Sequence, residues 1–132
     1  MSNETLEVVF DHLTALRRRD IDAVASLLDP AVVHQGYSEE LVCDGRDAVL
    51  HSVRNGMRRK HLDIEHLELV DAGDRVIVGL AGPNFAGRPG VGDQQQVFIV
   101  FTIRDGKIIR MDDYLTRGEA LGAAGVAEAD WA

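Results

Sequence analysis

Apolar positions recur at helical spacing in the first part of the chain and alternate with polar ones in the last part. From Asn3 to Arg19, residues Leu6, Val9, Phe10, Leu13 and Leu16 fall on one side of a helix. Arg17, Arg18 and Arg19 close it, where cations suit the negative end of the helix dipole. Asp20 is placed to cap a second, shorter helix with Ile21, Val24, Leu27 and Leu28 inward, and Asp29-Pro30 stops it. Ala31 to Gly36 reads as a short strand, with Val32 and His34 on one face and Val33 and Gln35 on the other. Tyr37 to Cys43 reads as a loop. Asp44-Gly45-Arg46-Asp47 opens a third helix that runs to about Lys60 and buries Val49, Leu50, Val53 and Met57.

Strand patterns follow. Leu62 to Val70 is one strand, with Leu62 and Ile64 out of phase with Leu67 and Leu69 unless a bulge intervenes. Asp71-Ala72-Gly73-Asp74 turns into Arg75 to Ala81, and the Gly- and Pro-rich segment Gly82 to Gly92 is a long connection. Gln94 to Ile103 is an apolar run rich in β-branched and aromatic residues, the signature of a central strand buried on both faces. After a turn at Arg104-Asp105-Gly106-Lys107, the stretch Lys107 to Thr116 alternates. Ile109, Met111, Asp113 and Leu115 lie on one face, and Ile108, Arg110, Asp112 and Tyr114 on the other. A short helix covers Glu119 to Ala124, and the tail carrying Trp131 is either disordered or a lid. The order of helix, helix, strand, helix and then four strands in hairpins predicts a single α+β domain over residues 1–132. A strongly bent sheet wrapping those helices encloses a cone-shaped cavity.

Asp113 stands out in this pattern because it shares a face with Met111 and Ile109. A two-residue turn sets it opposite Phe98, and a three-residue turn with a Gly bulge sets it opposite Val97. An unpaired carboxylate among apolar neighbours costs several kcal/mol, so it must be paired, protonated or facing a wet cavity. The alternative is a frayed strand end in solvent.

Composition narrows the classes of function. With 14 basic and 22 acidic residues the net charge is −8, which repels nucleic-acid backbones, and the arginine clusters are explained by helix ends. No apolar run approaches the ~20 residues of a membrane span, and no secretory segment opens the chain. The single cysteine, Cys43, excludes an internal disulfide, suits a reducing cytoplasm and reads as a small hydrophobe. Asn3-Glu4-Thr5 matches a glycosylation acceptor but serves as a helix start. No spacing of His, Cys, Asp and Glu resembles a metal site.

The order of elements carries a resemblance, together with Gly45-Arg46-Asp47-Ala48-Val49 and the closing Asp105-Gly106-Lys107-Ile108-Ile109-Arg110-Met111-Asp112-Asp113-Tyr114-Leu115. From Thr5 to Leu121 the chain resembles the NTF2-like superfamily and, within it, the SnoaL-like branch of polyketide cyclases and limonene-epoxide hydrolases. That implies a cone-shaped α+β fold and chemistry without a cofactor. Asp113 falls where the hydrolase triad has its acidic member, which favours the bulged register. The other two triad positions fall near Leu80 and Gly82, neither of which can activate water, and His34-Gln35-Gly36 lacks the carboxylate base of ketosteroid isomerases. What remains resembles the cyclase pattern of a histidine and an aspartate in an apolar cavity.

Asp113 and His34 are therefore the candidate catalytic pair, one taking a proton α to a carbonyl and the other supporting the oxyanion. The bland reading of His34 is a satisfied structural residue. Tyr37, Gln95, Val97, Ile99, Met111 and Met57 are the candidate ligand contacts. His51 and Arg54 lie off their helix's apolar stripe and read as solvated. Three functions compete: a cyclase, isomerase or hydrolase acting on a small hydrophobic carbonyl compound, a non-catalytic binder of such a molecule, and an interaction module. The third is suggested by Phe98, Val100 and Ile108, whose outer sheet face predicts a homodimer in which Arg110 and Asp112 trade charges.

Overall fold

The computed structural model describes residues 2–36, 38–58, 66–81 and 96–126. Helix α1 (Ser2–Arg18) leads to α2 (Ile21–Leu27), which Asp20 caps by accepting from the Ala23 N–H at 3.1 Å. Strand β1 (Leu28–Gln35) follows at once, so Leu28 opens the strand instead of closing the helix. The segment expected as loop contains a short strand, β2 (Val42–Asp44), paired antiparallel to β1. Asp44 thus ends a strand, and α3 (Arg46–Arg58) begins two residues later. Strands β3 (His66–Asp71), β4 (Arg75–Ala81), β5 (Gln96–Arg104) and β6 (Lys107–Tyr114) precede the final helix, α4 (Arg117–Ala124). The bulge expected near Leu62 and the Gly82–Gly92 connection lie outside the described residues, as do Arg59, Lys60 and Trp131.

One six-stranded sheet runs β2-β1-β6-β5-β4-β3, antiparallel except for the parallel pair β1 and β6. This is an α+β fold with helices on both faces. Val8, Val9, Leu13 and Leu16 of α1, Val24 of α2, and Val49 and Leu50 of α3 pack on Val76, Val78, Leu80, Val97, Ile99, Phe101, Ile103, Ile108 and Met111, forming the main core. Phe10, expected inside, is 55% exposed, because the buried stripe of α1 is centred on Val9 and Leu13 and leaves position 10 at its edge.

The other face has its own cover. Ile77, Phe98 and Val100 are buried under Ala120 and Leu121 of α4. Thr116 caps that helix, accepting from the Glu119 N–H at 3.2 Å while its hydroxyl donates to the Glu119 carboxylate at 3.0 Å. The expected start at Glu119 therefore moves back to Arg117.

The β5–β6 hairpin settles the register. Arg104 faces Lys107 across a two-residue turn in which Asp105 (φ 53°) and Gly106 (φ 75°) both take left-handed conformations, as a type I′ turn demands. Ile103 faces Ile108, but Thr102 faces Arg110, so Ile109 is an extra residue and β6 bulges there. Asp113 consequently lies opposite Ile99, not Phe98 or Val97. Both expected registers assumed either a turn without a bulge or a bulge within the turn, whereas the irregularity sits just beyond it. Ile108 is corrected with them: it faces the main core, on the same side as Met111 and Asp113, because the bulge inverts the alternation between positions 108 and 110.

Candidate active site

A row of directly opposed residues crosses the face covered by α1, α2 and α3: Val76 on β4, Phe101 on β5, Met111 on β6, His34 on β1 and Cys43 on β2. Asp113 stands two residues beyond Met111 on the same face, a diagonal neighbour of His34. The two side chains meet, with His34 Nε2 2.7 Å from Asp113 Oδ1. They are 21% and 11% exposed, so the pair is largely removed from water yet not sealed. With Asp113 ionised, Nε2 carries the proton and donates it to the carboxylate, which fixes the tautomer and leaves the Nδ1 lone pair available as a base. A carboxylate-oriented imidazole of this kind can take a proton and hold the resulting cation next to a counter-charge. The carboxylate is also satisfied, which removes the penalty that an isolated acid would carry on this face.

A second histidine belongs to the same face and was absent from the expectations. His12 on α1 is 3% exposed, the one buried polar side chain among the described residues. Its ring stands edge-on to Phe101, with centroids 5.5 Å apart and an interplanar angle of 66°. No described residue pairs with its Nδ1. Burial pushes its pKa down from 6.5 to about 4, and the nearby His34 charge pushes the same way. The signal was present in the sequence, since position 12 is four residues after Val8 and four before Leu16, but polarity counted against it.

The expected contact residues divide. Val97, Ile99 and Met111 are buried on the inner face, within the core that carries the pair, and Met57 packs half-buried at its margin. Tyr37 and Gln95 lie outside the described residues. An open cleft of about 220 Å³ reaches Asp113 at the ends of β1 and β6, lined by Gln35, Gly36, Asp112, Asp113, Tyr114, Leu115 and Glu119. Its rim is more polar than the apolar lining expected. Arg110 and Asp112 pair with each other at 3.0 Å along their own strand, so their charges are satisfied within the chain. His51 and Arg54 are exposed on α3. No described helix is long and apolar enough to cross a membrane.

Helices laid over a six-stranded, mostly antiparallel sheet are the α+β arrangement of NTF2-like proteins. Residues 9–111 match the SnoaL-like domain, and the chain belongs to that family. Similar solved structures include a candidate polyketide cyclase from Sinorhizobium meliloti, 24% identical with a TM-score of 0.65, over 86% of this chain and 99% of that one. Bal32a, from a soil-derived mobile gene cassette, is 18% identical with a TM-score of 0.70, over 86% and 89%. A candidate ketosteroid isomerase from Kribbella flavida is 14% identical with a TM-score of 0.63, over 84% and 76%. At such identities the likeness carries the fold and not the reaction. No curated protein matches the sequence.

Proposed function

We propose that this protein is a cofactor-independent acid–base enzyme acting on a small hydrophobic carbonyl compound, with His34 and Asp113 as its catalytic pair. The observation that carries this reading is the 2.7 Å contact between His34 Nε2 and Asp113 Oδ1 on the helix-covered face of the sheet. In the proposed step a C–H bond α to the carbonyl breaks, its electron pair moves onto the carbonyl oxygen, and the proton passes to His34. Asp113 stabilises the imidazolium, and returning the proton to another carbon completes an isomerisation; in a ring closure the enolate carbon instead bonds to a second carbonyl carbon of the substrate, whose oxygen receives that π electron pair and the proton. The partial burial of both groups strengthens this electrostatic assistance. Membership of the SnoaL-like family is in keeping with this class of chemistry.

The alternative is a non-catalytic binder in which the same pair serves only to satisfy Asp113. One experiment separates the two. The α-protons of 1-tetralone in deuterated buffer, followed by proton NMR, exchange at least ~10²-fold faster with the protein than without it, the scale of positioned acid–base assistance. Asp113→Asn and His34→Gln each remove most of that acceleration. Exchange at the buffer rate with 1-tetralone demonstrably bound sinks the enzyme and leaves the binder.

A further inference from the structure

We infer that Gln35 is a specificity-determining residue of this site: it offers its amide oxygen to the cleft that reaches Asp113 and selects a carbonyl compound bearing a hydroxyl group. This deepens the proposed function and rests on it, naming the substrate class as hydroxylated, uncharged carbonyl compounds.

The position follows from where two strands stop. Strand β1 ends at Gln35 and β6 at Tyr114, and Gln35 is directly opposed to Asp112, the residue before Asp113. Alternation along β6 sends Asp112 and Asp113 to opposite faces of the sheet. At the strand ends both border the same open cleft of about 220 Å³, together with Gln35 and Tyr114. A molecule that enters this cleft to reach Asp113, and with it His34, therefore passes Gln35.

The acceptor role follows from what holds the amide. Gln35 Nε2 donates to the carbonyl oxygens of Ser38 at 2.9 Å, Gly36 at 3.3 Å and Leu41 at 3.4 Å. Turning the amide over would set its oxygen against three acceptors, so its orientation is fixed. The loop that supplies those carbonyls is itself closed. The Gly36 N–H donates to the Leu41 carbonyl at 2.5 Å, and a Cβ on Gly36 would stand 2.7 Å from the Leu41 Cβ. With Nε2 committed, Oε1 is the polar atom that Gln35 has left, and no described residue donates to it. The carboxylates beside it are already engaged: Arg110 pairs with Asp112, His34 with Asp113, and the Thr116 hydroxyl donates to Glu119. None of the residues lining the cleft is a lysine, arginine or histidine. Such a wall offers acceptors and no cation, so it repels an anion and is matched by a neutral donor. An acceptor locked in place before the ligand arrives loses no rotamer freedom on binding, which favours a hydroxyl at this point. An amide that only braces the loop explains Nε2 and assigns nothing to Oε1.

The test uses 5-, 6- and 7-hydroxy-1-tetralone, with 1-tetralone as the same skeleton without the donor. Isothermal titration at pH 7 is expected to show the tightest of the three binding roughly tenfold more tightly than 1-tetralone, the worth of one net hydrogen bond. Gln35→Met removes that preference and leaves 1-tetralone binding intact. A carboxylate in place of that hydroxyl weakens binding below that of 1-tetralone. Equal affinity for 1-tetralone and all three hydroxy compounds, tighter binding of the carboxylate, or a preference that survives in Gln35→Met overturns this inference; accelerated α-proton exchange of 1-tetralone then still upholds the enzyme. Conversely, a preference lost in Gln35→Met without any accelerated exchange upholds the hydroxyl site and sinks the enzyme. If none of these compounds binds, both readings fail. A measurement on the unaltered protein guards against loosening of the loop in Gln35→Met. In ¹⁵N-correlated spectra the Gln35 side-chain N–H pair is expected to shift with the saturating hydroxy compound and to stay in place with 1-tetralone. A pair that does not move, or that both compounds move equally, overturns the assignment.

Discussion

At pH 7 the His12 ring is neutral, because burial holds its pKa at about 4 against an ordinary 6.5. The unfolded chain takes up that proton as pH falls through 6.5, and the folded chain does not until about 4. Stability is therefore full above pH 6.5 and declines as the pH drops across this window, by about 3 kcal/mol in total from this group. Urea unfolding at pH 8 and pH 4.5 is expected to show most of that loss, and His12→Leu to flatten the pH dependence by the same amount. An identical pH slope in both proteins would show that His12 titrates normally. Asp113 illustrates the complementary case. Its place on the inner face was legible from Met111 two residues away, although the bulge removes Ile109 from that face, and its pairing with His34, 79 residues away, came from the family resemblance and not from the local pattern. His12 escaped notice for a different reason: a neutral imidazole is apolar enough to complete a helical stripe, and only its environment decides whether it is neutral.

Among the elements, β6 carries the largest difference between pattern and structure. Simple alternation from Ile108 would turn Arg110 and Asp112 inward; the extra residue at Ile109 turns Met111 and Asp113 inward instead. One inserted position thus selects which of two adjacent aspartates enters the site. On the opposite face, Glu68, Gly79, Phe98 and Tyr114 are directly opposed across four strands, and Arg117 bonds Glu68 at 2.5 Å with its guanidinium 5.9 Å from the Phe98 ring centroid. Gly79 leaves room for that ring, since a Cβ there would come within 3.0 Å of the Phe98 edge. Gly79→Ala is expected to lower stability by about 1–2 kcal/mol through displacement of Phe98, measured by denaturant titration. An unchanged midpoint would mean that the ring moves aside freely.

For the whole molecule, α4 decides what the outer face of the sheet is for. Phe98 and Val100, which argued for pairing of two subunits, are buried beneath Ala120 and Leu121, and Ile108 points the other way. A homodimer through this face must therefore use other side chains or displace the helix. Leu121 is among the most buried residues of the chain, so Leu121→Ala is expected to cost about 2–4 kcal/mol in a denaturant melt. A loss below ~1 kcal/mol would show that α4 is only loosely docked and that the outer face is open to a partner.

Hydrophobic periodicity alone was enough for the helices, the central strand and the α+β class, because burial of one face imposes its period on the sequence directly. It also singled out Asp113 as an acid in apolar company. The parallel pairing of β1 with β6 is a long-range event with no local signature, and it alone brings His34 to that acid. The bulge beyond the hairpin turn, the edge contact of His12 with Phe101 and the covering of the outer face by α4 are likewise outcomes of packing. Each depends on which surfaces meet, and a linear pattern specifies only which surfaces must be covered.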